Sequence, residues 1–223
     1  MSFITPLNAL VGGFFLLSAF GLVATRQMQG CLRFFIIQSL LLAASALLLS
    51  FFYGSPHLWI VGLLNLLTKP LLIPWLLRRT VREEVYPRRE ISQVLNIPAS
   101  LLIALALAIV AYFLARPLLA AVEGSVAETN LPIGLAGLLL GIYTLAVRRE
   151  ALPQLIGLLA MENGAFFVGI AIAPELPLIA ELVTAFDVLI LAFVVGVLTR
   201  TIHEHIGTTE VGALAALKED SAP

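Results

Sequence analysis

A single cysteine, Cys31, stands among 223 residues, which excludes a disulfide framework and any cysteine-built cluster or zinc site within the chain. Charge is equally scarce: only 12% of residues are Asp, Glu, Lys or Arg, about half of what a soluble domain carries. No basic residue precedes the first apolar run, Met1 to Phe20, so that run is expected to remain as a membrane span and not to be cleaved as a signal peptide. No phosphate-cradling glycine loop, dinucleotide fingerprint or nucleophile beside a base occurs, so the chain has no visible redox or catalytic chemistry of its own. The net charge of -1 says nothing about nucleic acid, for which no partner role is expected; what matters in such a chain is where the charges lie.

What is abundant is apolar surface. Hydrophobic residues make up 60% of the chain, and the mean hydropathy is +1.03. That composition predicts an all-α integral membrane protein. Seven runs are long enough to cross the hydrocarbon: 3 to 24, 34 to 53, 58 to 77, 96 to 115, 131 to 147, 152 to 173 and 177 to 199. Turn or charge signals separate them, among them RQMQGCLR, YGSPH, RRTVREEVYPRRE, EGSVAETN and APELP.

Lys and Arg gather on the cytoplasmic side of membrane proteins. With the N-terminus outside, eleven fall inside (Arg26, Arg33, Arg78, Arg79, Arg82, Arg88, Arg89, Arg148, Arg149, Arg200 and Lys218) and only Arg116 outside. The expected topology is therefore N-out, C-in. Tyr53 and Trp59 fit an outer aromatic belt, Trp75 and Tyr143 an inner one. The runs divide into an N-terminal three-helix unit with its basic loop (1-95), a connecting helix and outer loop (96-130), a C-terminal three-helix unit (131-205) and a cytoplasmic tail (206-223). The two triplets repeat one topology without clear residue identity.

Three ionisable residues lie near mid-span: Lys69, Glu162 and Asp187. Each opposes insertion by about 2.5 to 3.5 kcal/mol at a helix centre, so each needs a partner, a watery path or burial against protein. A desolvated carboxyl can also escape by taking up a proton, the property a proton-carrying site requires. Asn65, Thr68 and Lys69 share a helical face, and Pro70 and Pro74 free backbone carbonyls in the same span, which predicts a kink. Glu181, Thr184 and Asp187 step along one stripe of the last span. Ala160-x-x-x-Gly164, Ala165-x-x-x-Gly169 and Gly137-x-x-x-Gly141 predict close helix approach. Prolines and small-residue pairs occur in any polytopic protein and by themselves indicate packing. Buried acids can lock helices together structurally, but three charges at one depth favour function.

His203-Glu204-His205 has the composition of a metal site, but residues two apart point to different sides of a helix and no third ligand is near, so no metal is expected. His57 reads as solvated. The RRTVREEVYPRRE loop could hold anionic lipid or a cytoplasmic partner, though a positive-inside anchor is its simplest role.

The seven spans, Lys69-Pro70, the Met161-Glu162-Asn163 core and the HEHIGTTEV tail together resemble the hydrogenase-4 component E (HyfE) family across the whole chain. Residues 131 to 210 are similar to the K subunit of respiratory complex I and the C subunit of Mrp cation/proton antiporters. The K-type pattern G-L-E-x-M-x-N-A aligns with Gly157 to Gly164; Gly157, Leu158, Met161 and Asn163 agree, whereas the family's Glu falls on Leu159 and this chain carries Glu162. Three residues along a helix is about 4.5 Å of rise and about 60° of rotation. Asp187 falls where the K-type last span carries its second Glu.

The resemblance implies a membrane subunit of an energy-converting hydrogenase or formate hydrogenlyase-like assembly in the prokaryotic cytoplasmic membrane. Glu162, Asp187, Lys69 and Glu181 would form its proton path, supported by Asn65, Thr68, Asn163 and Thr184, with Lys69 a third station or a charge partner. It implies no cofactor in this chain and nickel-iron and iron-sulfur centres in partner subunits. The implied partners are antiporter-like membrane subunits, a membrane anchor, peripheral hydrogenase-type subunits and lipid. The competing expectations are a subunit of an Mrp-type antiporter and a purely structural scaffold.

Overall fold

The computed structural model describes residues 3–75, 94–119, 127–149 and 151–172. Their secondary structure is helical, with no strand among the described residues. In chain order the helices are α1 (Ile4–Ala24), α2 (Met28–Tyr53), α3 (Pro56–Leu67), α4 (Ile97–Leu119), α5 (Ala127–Val147) and α6 (Ala151–Ile172). A π-helical turn, Thr68–Leu72, prolongs α3, and the helix runs on to Trp75. Six of these segments are long and apolar enough to span a membrane. The seventh expected span, 177 to 199, lies outside the described residues together with Glu181, Thr184 and Asp187.

Local chemistry sets most of the helix ends. Gly54, at φ 64°, closes α2 in the left-handed conformation that a side chain would oppose. Pro56 then opens α3, at a position where a missing amide hydrogen is harmless. Asn96 caps α4, its Oδ1 accepting the amide of Ala99 at 3.0 Å.

Two expected loops are shorter than their polar residues suggest. Of RQMQGCLR, everything from Met28 onward is helical, because Met28, Cys31 and Leu32 are buried in a core with Leu155 and Ile156 of α6. Of EGSVAETN, Ala127 to Asn130 already belong to α5, where buried Asn130 is hydrogen-bonded to Asn8 of α1.

Four helices form a ring in which α1 meets α2, α2 meets α6, α6 meets α5 and α5 meets α1. Helices of the expected N-terminal and C-terminal units thus share one core. The α3 helix packs on α2, and α4 packs on α5 and α1. Only small residues of α4, Ser100, Ala104, Ala111 and Ala115, are buried, while Leu102, Leu105, Ile109 and Phe113 face outward, as suits a helix solvated by lipid.

The seam between α5 and α6 is the closest in the fold. A Cβ on Gly141 would collide with the backbone of Met161, and one on Gly164 with the backbone of Leu138. The expected pairs Gly137/Gly141 and Ala160/Gly164 therefore lie in packed core. The pair Ala165/Gly169 differs: Ala165 is exposed and Gly169 has open space beside it among the described residues. Small residues four apart recur on two faces of α6, and only one of those faces meets α5.

Candidate functional site

The predicted kink at Pro70 and Pro74 takes the form of the π turn. Proline at 70 has no amide hydrogen for the carbonyl of Leu66, so the ladder widens, and the Ile73 amide donates to Thr68 O five residues back. Two side chains ahead of the turn bond back to their own helix: Thr68 Oγ1 donates to Leu64 O at 2.8 Å and Asn65 Nδ2 to Val61 O at 3.2 Å. Thr68 is half-buried with its hydroxyl bonded to its own helix, whereas Asn65 and Lys69 are buried.

The turn delivers Lys69 to α6. Its Nζ stands 3.8 Å from Glu162 Oε2, with the lysine side chain 0% and the glutamate 15% exposed. It also lies 5.9 Å from the centre of the Phe166 ring, at the outer limit of a cation–π contact. Two opposite charges at about 4 Å attract by about 4 kcal/mol at an effective dielectric of 20, enough to offset much of the cost of desolvating them. Lys69 is thus the charge partner of Glu162 in this conformation.

Two apolar clusters flank the pair. On one side Ile73, Leu159 and Ala160 join Leu22, Cys31, Leu32 and Phe35 in an apolar cluster; on the other, Phe166, Phe167 and Ile170 join Phe15, Leu42 and Leu49. Leu159, one turn before Glu162 on α6, is buried in the first cluster at 1% exposure. A carboxyl at 159 would need a partner in that cluster, whereas at 162 it meets Lys69.

Beside the pair runs a row of amides and hydroxyls. Asn163 Nδ2 donates to Ser39 Oγ at 3.0 Å and to Gln38 Oε1 at 3.4 Å, tying α6 to α2. Among the described residues, Gln38 Nε2, Asn163 Oδ1 and Asn65 Oδ1 are buried without a hydrogen-bond partner, and such atoms in a native interior are commonly bonded to water. Asn163 and Asn65 were expected as supporting polar residues. Gln38 and Ser39 were not, although two adjacent polar residues inside the apolar run of α2 were a readable signal.

Arg148, counted with Arg149 among the charges expected on the cytoplasmic side, is 1% exposed. Its Nη2 donates to Thr25 O at 2.7 Å and Leu22 O at 2.9 Å, filling carbonyls left open at the C-terminus of α1. Arg26, Arg33 and Arg149 are exposed at this same end of the bundle, while Arg116 lies toward the opposite end of α4.

No protein-family model matches the chain, and no solved structure matches it. Six apolar helices, each long enough to cross a membrane, define an all-α, multi-pass membrane protein. Along 208 residues, covering 93% of this chain and 94% of the relative, it is 30% identical to the uncharacterized protein Rv0085 of Mycobacterium tuberculosis, and it belongs to the same family. It is also 26% identical to hydrogenase-4 component E of Escherichia coli K12 over 209 residues, 93% of this chain and 95% of that protein. The same identity and coverage relate it to hydrogenase-4 component E of Shigella flexneri.

Proposed function

We propose that this protein is a membrane subunit of a hydrogenase-type complex, and that the Lys69–Glu162 pair is its proton-carrying station. The full-length similarity to hydrogenase-4 component E supports the first half. The observation that carries the second is a mid-span carboxylate, 15% exposed, that faces a fully buried ammonium at 3.8 Å. Such a carboxylate is stable as an ion while the lysine faces it and is driven to take a proton whenever the two separate. Movement of either α3 or α6 then converts directly into proton uptake or release. Asp187 and Glu181 would continue the path.

On this reading the chain binds no redox centre. Nickel-iron and iron-sulfur centres belong to peripheral partner subunits, and an antiporter-like subunit and a membrane anchor cover its apolar faces in the cytoplasmic membrane, with lipid on the remainder. Purification in mild detergent tests the assignment. Recovery of hydrogenase-type subunits in stoichiometric amounts is expected; recovery of a cation/proton antiporter assembly lacking them would refute it.

A further inference from the structure

We propose that Asn8, Ser45 and Asn130 form a second polar site that holds water at the end of the bundle where α1 and α5 begin, and that a Phe15–Phe167 stack seals it from the ion pair. The inference rests on the proposed proton role of Glu162. Ser45 Oγ donates to Asn8 Oδ1 at 2.7 Å, and Asn8 Nδ2 donates to Asn130 Oδ1 at 2.9 Å. All three side chains are buried. The chain of donors ends at Asn130 Nδ2, which is buried with no acceptor among the described residues. A buried amide N–H without a partner is rare because it loses hydration and gains nothing, and the group that commonly meets it is an ordered water. Packing alone would be satisfied by the two bonds already made; the third donor points to a ligand.

Position suits an entry. Asn8 lies about one turn inside α1 and Asn130 about one turn inside α5, whose first turn carries exposed Glu128. Amides bind water but do not themselves pass protons, so the site would seat the water from which a proton moves on.

Between this site and the ion pair the interior is apolar. Ser45 is two turns from Gln38 along α2, about 10 Å of rise. Phe15 and Phe167, both 0% exposed, fill that interval with ring centroids 4.6 Å apart and planes at 28°. A Cβ on Gly12 would touch Phe167 at 3.5 Å and Asn130 Oδ1 at 3.8 Å, which places the stack directly below the polar site. When the rings part, a short file of water connects the site to Glu162: an O–H bond of a hydronium in the file breaks as an O–H bond forms on the carboxylate.

The test is passive proton leak across membrane vesicles that contain the whole complex, measured without hydrogen turnover. Phe167→Ala is expected to raise the leak several-fold and Phe167→Leu, which keeps apolar bulk, to raise it less; assembly is checked on native gels. Adding Glu162→Gln or Asn130→Leu to Phe167→Ala is expected to return the leak to the wild-type level. Unchanged leak in assembled Phe167 variants overturns the seal. A leak that persists with Glu162→Gln, or that passes potassium as well, overturns the route. Because turnover plays no part, either failure is separate from a failure of Glu162→Gln to stop coupled pumping.

Discussion

The Lys69 ammonium faces the Glu162 carboxylate at 3.8 Å across the boundary between α3 and α6, with the lysine fully buried. A lone charge at that depth would be far more costly than the pair. Removing one partner should therefore harm the fold more than removing both. Lys69→Met or Glu162→Gln alone is expected to destabilise by up to about 3 to 5 kcal/mol, with the smaller loss for Lys69→Met, because the Glu162 it leaves is partly exposed whereas the Lys69 left by Glu162→Gln is fully buried. In the double variant the losses should fall well short of their sum. Unfolding in detergent, arranged as a double-mutant cycle, measures this; additive losses would mean that the two groups do not interact.

Arg148 closes the end of α1 through the carbonyls of Leu22 and Thr25. Arg148→Ala should cost about 1.5 to 3 kcal/mol, the range for hydrogen bonds to a charged group. Arg149→Ala, at an exposed neighbour, should stay within about 0.5 kcal/mol of wild type. Comparing thermal unfolding of the two variants separates a capping role from a merely topogenic one, which would leave both alike.

The α5–α6 seam has no room for a side chain at Gly164, because a Cβ there meets the Leu138 backbone. Gly164→Val is expected to lose at least about 1 to 3 kcal/mol and to lower the amount of protein accumulated in the membrane. Gly13→Ala, with nothing within 4 Å of the added carbon, is the matched control and should accumulate normally.

Asn163 ties α6 to α2 through Ser39 and Gln38. Asn163→Leu leaves those two groups without their donor, so a loss of about 1 to 3 kcal/mol is expected. Combining it with Ser39→Ala should cost little more than Asn163→Leu alone, which the same unfolding measurement checks.

The mid-span charges were legible in the sequence because their cost in lipid is large enough to demand an explanation wherever they occur. Lys69 and Glu162 stood out on that ground, and only their pairing had to come from the fold, since α3 and α6 are brought together by packing on α2. The buried bonding of Arg148 was not legible, for the opposite reason. A basic pair at the end of a span has an ordinary explanation, and its carbonyl acceptors on α1 are remote in the chain. Asn8, Ser45 and Asn130 are small polar residues of the kind every membrane helix carries, so their convergence could be seen only in three dimensions. The prolines pointed to disturbed backbone, but whether it became a kink or a π turn depends on which donor reaches which carbonyl, and residue type does not decide that.

Proton translocation by inverted membrane vesicles, driven by the hydrogen chemistry of the assembled complex, tests the role of Glu162 most directly. With Glu162→Gln in a fully assembled complex, the account predicts that the hydrogen reaction continues while acidification of the vesicle interior is lost. Acidification at the wild-type rate in that variant would contradict it and leave the Lys69–Glu162 pair as a structural tie.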